Sequence, residues 1–103
     1  MILARWSIDA RFGYKQTVID AMKRWMQEIG AQAGLKADKT RLLTGSVGAL
    51  ESTVASETVL KDMGELDAMW GKLATIDAHK QWSKDLEPYV VSGTSRWEIF
   101  RVI

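Results

Sequence analysis

The alternation at the start of the chain limits its fold more than any other feature. From Ile2 every second residue is apolar: Ile2, Ala4, Trp6, Ile8, Ala10 and Phe12. Between them stand Leu3, Arg5, Ser7, Asp9 and Arg11. A period of two sends these sets to opposite faces of an extended strand. The chain therefore opens with a strand over residues 2–12, with one face to bury and one face that carries charge.

The period then lengthens. Gly13 interrupts the alternation, and Val18, Met22, Trp25, Met26, Ile29 and Ala33 share one face of a helix predicted over 15–33. Asp20, Lys23, Arg24, Gln27 and Glu28 form its outer face, and Gly34 is placed to end it in a left-handed conformation. Residues 40–48 and 53–61 are β-rich, with a turn at Gly48–Ser52, and are expected to pair antiparallel. Asp62 and Glu65 have the spacing of a capping box ahead of Leu66, Met69, Trp70 and Leu73. A break is expected at 75–77, with Asp77 as a second cap. The apolar stripe resumes at Trp82, Leu86 and Tyr89, and Pro88 ends it. After a turn at 92–95, residues 96–103 form a last strand. The order β-α-β-β-α-β predicts an α+β, ferredoxin-like plait. It is a four-stranded antiparallel sheet with two helices on one face and the first and third strands in the middle. Residues 1–103 form a single domain.

Composition removes several functions. Lys and Arg number 14 against 13 Asp and Glu, a net charge of +1, so no basic excess points to nucleic acid or to an anionic membrane. The RNA-recognition motif shares this element order but needs aromatic residues on its third strand, and residues 53–61 contain none. With no cysteine, disulfides, thiolate chemistry, iron–sulfur clusters and zinc–cysteine sites are excluded. No apolar stretch approaches the ~20 residues of a membrane span. The short apolar N-terminus is interrupted by Arg5, so a soluble cytoplasmic protein is expected. Gly45-Ser46-Val47-Gly48 lacks the helix and lysine of a phosphate loop. One histidine and no cysteine leave no expected metal site, and no cofactor is expected.

Several positions resemble one family. Glu57 on the third strand, Glu65, Leu66 and Trp70 opening the second helix, then Asp77 and Trp82, resemble small bacterial proteins of the NIPSNAP-like group, within the dimeric α/β-barrel superfamily. "EPYVVSGTSRWEIFRV" at 87–102 and "GLKADKTRLLTGSVG" at 34–48 extend the resemblance over most of the chain. It implies a homodimer in which two sheets pack face to face inside a ring of helices. It also implies relatives as different as cofactor-free antibiotic-biosynthesis monooxygenases and haem-degrading oxygenases. A shared fold does not carry function with it. The haem-degrading relatives use a helix histidine, a helix tryptophan and a strand-one asparagine. Trp70 and Ser7 stand at two of those places here. The chain has no asparagine, and the histidine position falls near Ser83.

Three sets of residues are candidates for function. In the implied dimer the charged face of the first strand looks into the barrel, where Arg5, Arg11, Glu57 and Glu98 would form a network across the sheet, since buried charges require partners. His79, the only histidine, together with Glu57 and Asp9, supplies the candidate acid–base groups. Trp6, Trp25, Trp70 and Trp82, with Trp97, either pack the core, as aromatics at such spacing ordinarily do, or line a pocket for a flat ligand. Two functions follow. One is a small homodimer that binds an apolar or aromatic molecule without catalysis. The other is a cofactor-independent oxygenase or isomerase of the monooxygenase-like kind. The sequence leaves open whether the protein is an enzyme.

Overall fold

In a computed structural model, residues 1–103 are all described. The elements are β1 (Ile2–Asp9), α1 (Lys15–Glu28), β2 (Thr40–Thr44), β3 (Thr53–Leu60), α2 (Met63–Leu73), α3 (Asp77–Leu86) and β4 (Arg96–Arg101). The sheet order is β2-β3-β1-β4, antiparallel throughout, which puts the first and third strands in the middle. This is the ferredoxin-like plait that the periodicity predicted.

The boundaries differ where tertiary pairing ends. β1 stops at Asp9, whose partner Thr53 is the first residue of β3. Ala10 keeps only an isolated bridge to Val90, and Phe12, continuing the alternation, is fully exposed. A strand cannot outlast its neighbours, whatever its pattern. β2 likewise ends at Thr44, and a loop occupies 45–52.

The helices show similar adjustments. α1 gives way to a tighter turn over Gly30–Ala33, and Gly34 closes that turn at φ 96°. Gly30 has no room for a side chain. A Cβ there would come within 2.9 Å of both the Leu35 side chain and the Trp25 ring. The break expected at 75–77 is present and separates α2 from α3, because Ile76 is extended at φ −95°, ψ 108°. Ile76, not Asp77, is the N-cap of α3, and Asp77 is the first helical residue with no capping bond. At α2 the cap forms: Asp62 Oδ1 accepts from the Glu65 amide at 3.0 Å. Glu65 reaches back one residue further than expected and accepts from the Lys61 amide at 2.8 Å.

All three helices cover one face of the sheet. The even residues of β1 meet them: Ile8 packs with Val18, Val54 and Leu86, and Ala4 with Leu60, Leu66 and Met69. The odd residues face away from the helices, with their register partners on β3 and β4. Asp62→Ala removes the only side-chain cap on an α-helix. It should cost about 1 kcal/mol, read in thermal unfolding by circular dichroism as a fall in Tm of roughly 4–8 °C.

Candidate functional site

The even face of β1 also floors a cavity. Ser56, Trp6 and Trp97 lie side by side in register on β3, β1 and β4. Ser56 is small, so it leaves room beside the Trp6 ring. Trp25 from α1, Trp70 from α2, and His79 and Trp82 from α3 rise around this row and enclose about 370 Å³. Three methionines, Met22, Met26 and Met69, complete the walls with side chains that adapt to what they touch.

The sequence left two roles open for the tryptophans, and their exposure separates them. All five line this one cavity, and none is buried. A core tryptophan packs on both faces. Trp6, Trp25, Trp70 and Trp82 pack against the core and stay partly open, and Trp97 is exposed. They hold one another at angles. Trp25 and Trp82 lie 6.1 Å apart at 52°, and Trp70 meets Trp97 edge-on at 5.3 Å and 73°. Tilted and edge-on pairs are the favoured geometries for ring quadrupoles. Two indoles are anchored: Trp82 Nε1 donates to the Ala21 carbonyl at 2.8 Å, and Trp25 Nε1 donates to His79 Nδ1 at 2.9 Å.

His79 is the only ionisable side chain in the cavity wall. Burial lowers its pKa from the ordinary 6.5. Its ring stacks on Trp82 with an interplanar angle of 11° and meets Trp25 at 62°. With Nδ1 occupied by the indole, a neutral His79 has no free lone pair for base chemistry or for a metal. Its chemical capacity is to donate a hydrogen bond and so polarise a bound oxygen.

Glu57 and Asp9 lie elsewhere, on the helix-free face of the sheet. Asp9 Oδ1 accepts from the Thr53 hydroxyl at 2.7 Å. Glu57, only 1% exposed in its side chain, sits between two guanidinium groups. Arg5 contacts Oε1 at 2.8 Å through Nε and 2.6 Å through Nη2. Arg41 contacts Oε2 at 2.9 and 2.8 Å through the same atoms. Arg5 also approaches Glu98 at 3.9 Å and lies 5.0 Å above the Phe100 ring. Burial pushes the Glu57 carboxyl up, but the hydrogen bonds and charges of Arg5 and Arg41 outweigh it and hold the pKa below the ordinary 4.5.

Arg5, Glu57 and Glu98, expected together, are thus neighbours in one register row. Arg11 is not among them: it follows the end of β1, and its Nε donates to the Val90 carbonyl at 3.0 Å. The sequence reading missed Arg41, which faces Glu57 across β2 and β3. Only a strand register could have revealed it. It also missed Ser56, whose role comes from its small size beside Trp6. The acid–base candidates do not form one site, because the sheet separates His79 from Glu57 and Asp9.

No protein-family model matches the sequence, and no curated protein matches it. Solved structures do match. An uncharacterised NIPSNAP-like domain protein from Burkholderia xenovorans superposes with a TM-score of 0.79 at 13% identity, covering 99% of this chain and 84% of that one. A NIPSNAP family protein from Agrobacterium tumefaciens gives 0.73 at 19%, covering 99% and 92%. A Nitrosomonas europaea protein provisionally named an antibiotic biosynthesis monooxygenase gives 0.68 at 7%, covering 100% and 99%. The chain has the NIPSNAP-like fold.

Both ionisable groups allow a test. Glu57→Gln leaves two guanidinium groups without their carboxylate and should cost about 1–3 kcal/mol in urea unfolding. The lowered carboxylate pKa means that its stabilisation is complete above about pH 4.5 and is lost as pH falls through the folded-state value. The variant should therefore lose less stability than the parent below that pH. For His79 folding favours the uncharged ring. Its contribution is complete above pH 6.5 and is lost as pH falls through the lowered midpoint. Imidazole NMR shifts should titrate with a midpoint below 6.5.

Proposed function

We propose that this chain, on its NIPSNAP-like fold, is a homodimeric cytoplasmic protein that binds a small, flat, apolar or aromatic molecule without transforming it. The observation that carries the reading is the cavity. All five tryptophans turn an open part of their surface to one space, and no Asp, Glu, Lys or Arg lines it. A cavity of that composition suits an uncharged ring system. No helix is long and apolar enough to cross a membrane.

The charged face supports the dimer. Across β2, β3, β1 and β4 the row runs Arg41, Glu57, Arg5, Glu98, with charges alternating in sign. Leu3, Val59 and Phe100 form an apolar row beside it. Consider two such faces stacked at the ~10 Å spacing of packed sheets, about a two-fold axis parallel to the strands. β2 then lies over the partner's β4, and β3 over the partner's β1. Arg41 then lies over the Glu98 of the partner subunit, and Glu57, beneath its own two arginines, lies opposite the Arg5 of the partner subunit. An axis across the strands would instead set each residue on its own copy, like charge on like. The alternation therefore favours the first arrangement over the second.

A cofactor-independent oxygenase or isomerase is the second reading. It is favoured by His79, a fixed donor in the cavity, and by the fold shared with the provisionally named monooxygenase.

Native mass spectrometry tests both parts. The mass should be twice 11.6 kDa, with a small molecule retained. A mass of 11.6 kDa at micromolar concentration overturns the dimer. Glu98→Arg, which leaves both arginine partners of Glu57 in place, should weaken association by at least about tenfold, because it sets a like charge opposite the Arg41 of the partner subunit. A retained molecule that is unchanged after incubation in air supports binding alone. Oxygen consumption that is lost in His79→Phe favours the second reading.

A further inference from the structure

We propose that His79 is the specificity-determining group of the cavity: its Nε2–H selects, among flat uncharged molecules, those that carry a hydrogen-bond acceptor on their rim. This rests on the cavity being the ligand site.

Trp25 fixes the tautomer of His79. An indole N–H can donate and cannot accept. Its partner His79 Nδ1, 2.9 Å away, must therefore present a lone pair. In a neutral imidazole that puts the proton on Nε2. Burial disfavours the charged ring and keeps it neutral at pH 7. The orientation is fixed as well. Turning the ring over would replace Nδ1 by a carbon, strand the indole N–H and sacrifice this hydrogen bond. The flat stack on Trp82 limits other rotations.

Nε2 is left open. No protein group bonds it, and the protein has no buried side-chain nitrogen or oxygen without a partner, so this atom is accessible. The rest of the lining has the same character. The indole N–H groups of Trp6 and Trp70 have no protein partner, and the Ser56 hydroxyl has none. The Ser83 hydroxyl already donates to the His79 carbonyl at 3.0 Å. No carboxylate or side-chain amide lines the space. The free polar groups are therefore mostly donors without acceptors to match. A ligand must supply the acceptor, as a carbonyl oxygen or an aromatic ring nitrogen. It must also be neutral, because a cation or a carboxylate would lose its hydration with no countercharge in the wall. A hydrocarbon of the same shape would leave the donor unsatisfied, which is how polar sites reject apolar isosteres.

Quinoline and naphthalene form a matched pair: two flat fused rings that differ by one ring nitrogen. Both are titrated at pH 7.5 into the full-length protein, followed by NMR of the indole N–H signals and the His79 ring nitrogens. Quinoline should bind about tenfold or more tightly. It should shift the His79 Nε2 resonance, and the advantage should collapse in His79→Phe. In the free protein the nitrogen shifts should report an unprotonated Nδ1 and a protonated Nε2. Trp25→Phe should convert this to a mixture of tautomers and reduce the preference for quinoline. Equal affinities with clear indole shifts would overturn the role of His79 while leaving the cavity as the ligand site. No indole shift with either compound would overturn the cavity reading and this inference together. A protonated Nδ1 in the free parent protein would overturn the inference alone, whether or not either variant folds.

Discussion

Where Arg5 stands against Glu57 determines how the rest of the sheet is aligned. The carboxylate is buried and both of its oxygens are bound by guanidinium groups, one from β1 and one from β2. A buried carboxylate without those partners would carry a large desolvation cost. A slip of one residue in either pairing would also turn every side chain of the slipped strand to the opposite face. Polar and apolar demands therefore agree on one register, and three of the four strands are locked by one residue.

That register gives the sheet two unlike faces. On one, Ala4 and Ile8 anchor the helices while Trp6, between them, meets open space. The cavity exists because the core on this face is divided into two clusters, with the partly buried Trp82 packed against both. Gly30 contributes from a distance, since its missing side chain leaves room for the ring of Trp25. The other face alternates in charge along its central row, with apolar residues beside it. Such a surface suits either water or a copy of itself, and its sign pattern is self-complementary in one orientation.

The two faces divide the chemistry. Glu57 has two firm partners and an alignment role, so it has little freedom for proton transfer. His79 has one partner, one open nitrogen and an aromatic surround. Its capacity is that of a fixed donor, whichever of binding or catalysis it serves. Separation by the sheet keeps these groups from acting on one substrate.

The sequence by itself determined the element order, the central position of β1 and β3, the inward and outward faces of β1, and the cap at Asp62. These depend on local periodicity and short-range hydrogen bonds, which any stretch of residues carries within itself, and, for the strand order, on the plait that this element order forms. It also brought Arg5, Glu57 and Glu98 together, since their strands were expected to be neighbours. Tertiary structure alone decided that β1 stops before Phe12 and that Arg41 rather than Arg11 completes the charged row. It alone decided that the tryptophans enclose space instead of filling it. Each of these depends on which residue lies opposite which, across dozens of positions in the chain. Registers, gaps between packed elements and the partner of a lone histidine are properties of distance in space, and periodicity along the chain does not contain them.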